Sequence, residues 1–342
     1  MKHLITITDT WLGMTNGVAT VIAETKKVME ANGVKVSVIH PDLFFSVPTP
    51  GYPEIRLSFP KRKIEKLIRS KNPDFIHIAT EGPMGMAARA ICIKNRWKFT
   101  SAYHTRFPEY LEVRLKTSLI KKLTYKYLRW FHSKSQYLIV STPSLKSELE
   151  AKGFKNIIVV PLGVDTELFK KNPLAKIPVG ARSPIFVFLG RVAIEKNIAA
   201  FLKCELPGTK MIIGDGPQRK ELEKEFKNQV IFTGYKKGQA LVDLLSAADV
   251  FVFPSKTDTF GLTLVEAMAC ELPVAAYDVQ GPRDIVTSGV DGFLGDELQA
   301  NAIKCLDLDG AACRRKALQF SWENAGKEFM KYLVATGSKS SN

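Results

Sequence analysis

Long apolar runs are missing from this chain: nowhere do 18 or more apolar residues follow one another, so no segment reads as a helix able to span a bilayer. The start, MKHLITITDT, lacks a hydrophobic signal core followed by a small-residue cleavage site, which gives the expectation of a cytoplasmic protein. Cysteine is scarce. Cys92, Cys204, Cys270, Cys305 and Cys313 are scattered with no C-x-x-C pair, a pattern that favours reduced, buried thiols over a disulfide framework or a zinc site. Low-complexity tracts are absent as well, which excludes a largely disordered or fibrous chain.

What is present is enough apolar material to fold: 45% of the 342 residues are hydrophobic and 24% are charged. That length exceeds what one core usually supports, so two domains are expected. The formal charge of +15 is unevenly placed. Residues 1–171 carry 28 Lys and Arg against 14 Asp and Glu, whereas residues 172–342 carry 21 against 20. The first half is therefore suited to an anionic surface, a membrane or a nucleic acid, and the second is not.

Along the chain, HLITIT, VKVSVIHP, DFIHIA, KFTSAYH and YLIVST read as strands, and VATVIAETKKVMEANG and GPMGMAARAICIKNR as helices between them. A long basic helical region runs to about Ser135. After VVPLGVDTELFKKNP the alternation restarts with PIFVFLG, KMIIGDG, QVIFTGY, ADVFVFPS, LPVAAYD and DGFLG. The pattern is that of an α/β protein with two doubly wound domains, 1–171 and 172–320. In such sheets ligands lie beyond the carboxyl ends of the strands, which directs attention to the loops there.

One of those loops is TDTFGLTLVEAMA, Thr257 to Ala269, where Asp258 and Glu266 bracket an uncharged run. A helix beginning after a strand offers free N–H groups suited to a phosphate, with Phe260, Gly261 and Leu262 beside it. Glu266 falls on an apolar helical stretch, where an ionised carboxylate needs a polar cavity, ligand hydroxyls or a neighbouring Arg. Read locally, Asp258 as a helix cap and Glu266 as an Arg partner fit equally well.

The whole motif, a carboxylate, seven residues and Glu, with FGL between and EAMA after, resembles the Glu-x7-Glu element of glycosyltransferase family 4. TDTFGL together with GPRDIV is similar to the branch holding sulfoquinovosyl-diacylglycerol synthases and bacterial mannosyl- and glucosyl-transferases. The resemblance implies the GT-B fold, two Rossmann-like domains facing a central cleft, with 321–338 a last helix returning to the first domain. It implies that Glu266 binds ribose hydroxyls of a nucleotide sugar and that Asp258 lies near the transferred sugar. Asp at the first position is shorter than the family's usual Glu, and Glu271 in ACELP replaces a customary Gly.

Other elements follow in the family's order. LGRVAIEKN implies that Arg191 and Lys196 hold the donor diphosphate, although alone the pair reads more readily as ordinary surface charge. IGDGP and FTGY, with Gly214, Gly216 and Gly234, resemble the elements that shape the base pocket. TDTWLGMTNGVAT implies a backbone approach to the diphosphate at Gly17, and YHTRFPEY an active-site role for His104, which otherwise reads as a structural histidine. The implied reaction is a retaining sugar transfer from a UDP- or GDP-sugar. The only D-x-D, Asp307 to Asp309, lies outside the expected donor site, so no metal or other cofactor is expected.

Two segments concentrate the positive charge. KRKIEKLIRSK begins with Lys61, Arg62 and Lys63, and RLKTSLIKKLTYKYLRWFHSK carries Lys121, Lys122, Lys126, Arg129 and Trp130. Both read as amphipathic helices, with solvated basic faces or with faces laid on an anionic bilayer. A membrane surface presenting a lipid acceptor, diacylglycerol first, is the expected partner. Modified DNA, a polysaccharide or a soluble acceptor remains an alternative, as does a noncatalytic nucleic-acid-binding protein, against which the donor motifs argue. Nothing in the sequence sets the oligomeric state.

Overall fold

The computed structural model describes residues 1–11, 17–49 and 52–337. By internal contacts the chain forms two compact units, one of Met1–Pro108, Thr117–Pro161 and Trp322–Asn342, the other of Glu109–Lys116 and Leu162–Ser321.

The first unit contains β1 (Lys2–Ile7), β2 (Val34–Ile39), β3 (Val47–Thr49), β4 (Tyr52–Leu57), β5 (Phe75–Ile78), β6 (Thr100–Ala102), β7 (Leu138–Val140) and β8 (Ile157–Val159). Six of them form a parallel sheet in the order β2-β1-β5-β6-β7-β8, and β3 and β4 pair separately as an antiparallel hairpin. The second unit contains β9 (Ile185–Leu189), β10 (Thr209–Ile213), β11 (Val230–Gly234), β12 (Val250–Phe253), β13 (Val274–Ala276) and β14 (Gly292–Leu294), all parallel, in the order β11-β10-β9-β12-β13-β14. Strands such as IFVFL and VFVF are apolar at every position because helices cover both faces of the sheet, and every residue of β9 and β12 is buried. The second sheet therefore has a core on each face, one built on Val187, Phe251 and Met268, the other on Phe188, Phe201 and Val252.

Strand order reverses direction between β1 and β5 in one sheet and between β9 and β12 in the other. At such a point the connections leave to opposite sides and open a crevice beyond the strand ends.

Several elements differ from the sequence expectation. Residues 162–171, expected to close the first domain, pack with the second unit, because Val164 and Phe169 are buried in the core built on Val187. The single basic helical region is two helices, Phe107–Leu115 and Ser118–His132, broken where Lys116 takes a left-handed φ of 51°. Helix Trp322–Lys331 returns to the first unit, where Gly326 meets Val28 of helix Gly17–Ala31. Glu271, the residue in place of a customary Gly, does sit at a φ of 65°, just past helix Leu262–Ala269. A glycine would adopt that backbone without strain.

Candidate functional site

The crevice of the second unit is built from two strand-end loops. After β9 the chain runs through Gly190 and Arg191 into a short 3-10 turn, Ile194–Lys196. After β12 it runs through Pro254 and Ser255 to Asp258 and then into helix Leu262–Ala269. Asn197 ties the two loops together by donating from its amide to the carbonyl of Pro254 at 3.1 Å. Thr257 adds a second tie, its hydroxyl donating to the carbonyl of Glu195 at 3.1 Å.

The third wall is the loop after β10, and here the glycines are obligatory. Gly214 has a φ of 146°, and a Cβ on it would stand 1.9 Å from the carbonyl oxygen of Gly190. Gly216, at 158°, would place one 2.4 Å from the carbonyl of Val192. The backbones are zipped by Gly190 N–H to Ile213 O and Val192 N–H to Asp215 O. IGDGP is therefore a packing requirement of the β9 loop, with Gly234 at the end of β11 hydrogen-bonded to Gly214 beside it. GPRD answers to the same logic: Gly281, with a φ of 85°, lies so close to the backbone of Phe260 that a Cβ would stand 2.8 Å from its carbonyl oxygen.

Within this frame Lys196 and Asp258 form an ion pair, both side chains largely buried. Burial alone would pull the Lys196 ammonium down, but Asp258, Tyr110 and Glu195 together outweigh it and hold the group above its ordinary range. Oδ2 of Asp258 is buried with no hydrogen-bond partner. A buried carboxylate oxygen left unsatisfied is costly, and a hydroxyl supplied by a ligand would relieve it.

Glu266 lies one helical turn into Leu262–Ala269, flanked by the fully buried Val265 and Ala267. Among the described residues it has neither the Arg partner nor the hydrogen bond that one sequence reading allowed for. Burial pushes its carboxyl up to about 7. Asp258 likewise pairs with Lys196 and does not cap the helix, whose first position is preceded by Gly261 at a φ of 94° with no side-chain cap. The helix start thus keeps its backbone N–H groups available for an anion. Arg191 stands at the end of β9, half-buried, and Leu262 is half-buried at the helix start. Phe260, beside the helix start, is 2% exposed, and its ring packs edge-on against Phe320.

Three residues that the motifs did not single out join the cluster. Glu109–Lys116, most of helix Phe107–Leu115, packs as part of this unit. Its Arg114 donates to Oε1 of Glu195 at 2.9 Å, and Glu195 is 3% exposed in its side chain. Tyr110 hydrogen-bonds with Thr257, and its hydroxyl is pushed up to about 12, chiefly by burial. Arg114 and Tyr110 are four residues apart on one helix, and that spacing was their only signal in the sequence.

The first unit carries the other two expected site residues. Gly17 is the first residue of helix Gly17–Ala31, and the loop before it, 12–16, lies outside the described residues. His104 follows β6, half-buried. Although it keeps some contact with solvent, its surroundings depress it to about 4, so the ring is neutral at pH 7. One helix start after a strand of this sheet is taken by a side chain of the chain itself. Asp9, after β1, accepts from the hydroxyl of Thr80 at 2.7 Å and from the N–H groups of Met84 at 2.8 Å and Gly85 at 3.4 Å. It occupies the start of helix Pro83–Lys94, where an anion would bind.

Two family models match the chain, one in each half. One described as Glycosyltransferase Family 4 matches residues 15–168, and one described as Glycosyl transferases group 1 matches residues 170–305. The chain belongs to these glycosyltransferases. It is 31% identical over 309 residues to the sulfoquinovosyl transferase SQD2 of Arabidopsis thaliana, covering 82% of this chain and 60% of that protein. It is 27% identical to a GDP-mannose-dependent alpha-mannosyltransferase of Corynebacterium glutamicum, covering 85% and 76%. It is 29% identical to an alpha-monoglucosyldiacylglycerol synthase of Acholeplasma laidlawii, covering 79% of each. A sucrose-phosphate synthase from Thermosynechococcus elongatus superposes with a TM-score of 0.76 at 19% identity, over 97% of this chain and 98% of its own. Anabaena HepE, solved with UDP and glucose, superposes at 0.71 and 16% identity over 97% and 99%. The fold is GT-B.

On this glycosyltransferase the residues expected to meet an anionic partner are displayed. Lys61, Arg62 and Lys63 are exposed at the start of helix Lys61–Lys71, whose Ile64 and Ile68 are fully buried. On helix Ser118–His132, Lys122, Lys126, Arg129 and Trp130 are exposed and Lys121 is half-exposed. Trp130 has the Arg89 guanidinium 4.0 Å from its ring centroid, and Arg129 donates to the carbonyl of Lys152. Among the described residues no helix is long and apolar enough to cross a membrane, and no group of three or more His, Cys, Asp or Glu could hold a metal ion.

Proposed function

We propose that this glycosyltransferase moves a hexose, with retention of configuration, from a UDP- or GDP-sugar to a lipid acceptor, diacylglycerol first, at the cytoplasmic face of a membrane. The observation that carries the donor site is the pairing of two under-satisfied carboxylates, Asp258 and Glu266, with an uncapped helix start and two cations. A nucleotide sugar offers hydroxyls to the acids and a diphosphate to Arg191, Lys196 and the helix N–H groups.

In this reading the diphosphate competes with Asp258 for Lys196, and Asp258 turns to the sugar. Negative charge grows on the leaving diphosphate as the glycosidic bond breaks, and Arg191, Lys196 and the helix start stabilise it there. The departing phosphate takes the acceptor proton on the same face, so no side-chain nucleophile and no metal are required. Neutral His104 serves as a hydrogen-bonding group toward the sugar. The lipid acceptor is supported by the basic first half and by the named activities of the SQD2 and glucosyldiacylglycerol relatives.

The test is mass-spectrometric detection of transfer from mixed UDP- and GDP-sugars, with diacylglycerol in anionic vesicles and hydroxymethylated DNA offered in parallel. A new glycolipid, lost by at least about a hundredfold in Arg191→Ala with its melting curve unchanged, is the expected result. Transfer to DNA alone overturns the lipid acceptor, and full activity in Arg191→Ala overturns the diphosphate site.

A further inference from the structure

The hairpin β3–β4 presents apolar side chains to solvent in a way the core does not explain. Phe45 is 86% exposed and Phe59 74%, and Leu43 and Val47 near them are 52% and 43% exposed. They belong to one patch. Val47 pairs with Leu57 in the antiparallel register, and continuing that register outward sets Phe45 opposite Phe59 on the same face as Val47. The arrangement is pinned: the Ser58 hydroxyl donates to the carbonyl of Phe45 at 2.7 Å, and the Arg56 guanidinium donates to the Ser46 hydroxyl and carbonyl at 2.7 and 2.8 Å. Ser58, between Leu57 and Phe59, is itself 1% exposed, so the strand is fixed beneath its outward ring.

Cations follow at once. The N–H of Lys61 donates to the carbonyl of Phe59 at 3.1 Å, which joins the patch to the first turn of helix Lys61–Lys71. Lys61, Arg62, Lys63 and Lys66 are exposed on that helix, and a surface hollow of about 570 Å³ lined by Arg62, Glu65, Lys66, Arg69 and Ser70 runs along it. Rigid exposed aromatics bordered by Lys and Arg match the layering of a bilayer surface, apolar at the acyl boundary and anionic at the phosphates. A second copy of the chain fits poorly, because a two-fold contact through the patch would bring Lys61, Arg62 and Lys63 against themselves. A nucleic acid could stack on Phe45 and Phe59, but Leu43 and Val47 beside them offer a base nothing and an acyl chain an apolar contact, which favours the bilayer.

We propose that Phe45 and Phe59, with Leu43 and Val47, are a wedge that enters the acyl boundary of an anionic bilayer while Lys61, Arg62 and Lys63 hold lipid phosphates. This rests on the membrane side of the proposed function and assigns the apolar half of the contact. It is tested on the full chain by sedimentation with vesicles of phosphatidylcholine alone and of phosphatidylcholine with phosphatidylglycerol. The wild type binds the mixed vesicles. The double variant Phe45→Ser, Phe59→Ser loses on the order of tenfold in partitioning, and what remains falls steeply with salt. The triple variant Lys61→Gln, Arg62→Gln, Lys63→Gln loses the preference for phosphatidylglycerol. Unchanged donor hydrolysis in both variants shows that they fold.

If the wild type binds vesicles and the Phe variant binds equally well, the wedge is wrong and the membrane reading stands on the basic helices. If the wild type binds neither vesicle, both fall together, and donor hydrolysis still reports the transferase. Loss of binding by the Phe variant to a DNA duplex but not to vesicles reassigns the patch and overturns the proposal.

Discussion

Glu266 is set apart at the scale of single residues by its apolar surroundings. An acid between Val265 and Ala267 on an apolar helix is an anomaly in the sequence, and in the fold it has no ionic partner among the described residues. Its folded carboxyl is raised to about 7 from an ordinary value of 4.5, so between those values the folded protein binds more protons than the unfolded chain. Stability therefore falls as pH rises from about 4.5 to about 7, by about 1 to 3 kcal/mol. In Glu266→Gln that decline disappears from the denaturant midpoint measured across this window, while affinity for the nucleotide drops because an amide makes a weaker ribose partner than a carboxylate. An unaltered pH slope in the variant would place the buried proton elsewhere.

At the level of elements, the loops after β9, β10 and β12 were legible, and the place of helix Phe107–Leu115 in the second unit was not. Arg191, Lys196, Asp258 and Glu266 occupy the ends of long, uniformly apolar strands or the helix after one, and Gly214 and Gly216 sit where two backbones touch, so their positions follow from local pattern. That the Phe260 ring packs on Phe320 was not legible, because a ring beside a helix start looks the same in sequence whichever way it turns. The β3–β4 hairpin escaped notice because FFSVPTPGYPEIRLSF mixes proline with alternating Val, Ile and Leu, and neither period dominates. Helix Phe107–Leu115 joins the second unit through Arg114 and Glu195, 81 positions apart, a pairing no local rule supplies. Arg114→Ala leaves Glu195 buried without its partner and destabilises the second unit by about 3 kcal/mol. Glu195→Gln in the same chain recovers most of that loss. A double-mutant cycle by urea unfolding that shows no coupling would mean that helix Phe107–Leu115 is held by its apolar contacts alone.

For the whole molecule, the route of the chain makes the first unit depend on residues that follow the whole of the second unit. Helix Trp322–Lys331 packs on helix Gly17–Ala31, the Phe329 ring meets His77 edge-on at 5.0 Å, and Ala335 bridges to Phe75 at the start of β5. The carbonyl of Thr336 accepts from Lys98, and its N–H donates to the carbonyl of Asp74, so the segment after Ser321 is stitched to three separate stretches. The tightest point is Gly326, where a Cβ would stand 2.4 Å from Cγ1 of Val28. Alanine in an exposed helix interior gains up to about 1 kcal/mol over glycine, so Gly326→Ala would be stabilising if only helix propensity mattered. The contact with Val28 reverses the sign, and the variant loses about 1 to 3 kcal/mol from the first unit. Calorimetry with and without UDP separates the two: the nucleotide raises the transition of the second unit, and Gly326→Ala lowers the other while leaving the UDP-dependent rise intact. A loss confined to the UDP-sensitive transition would instead assign the last helix to the donor unit.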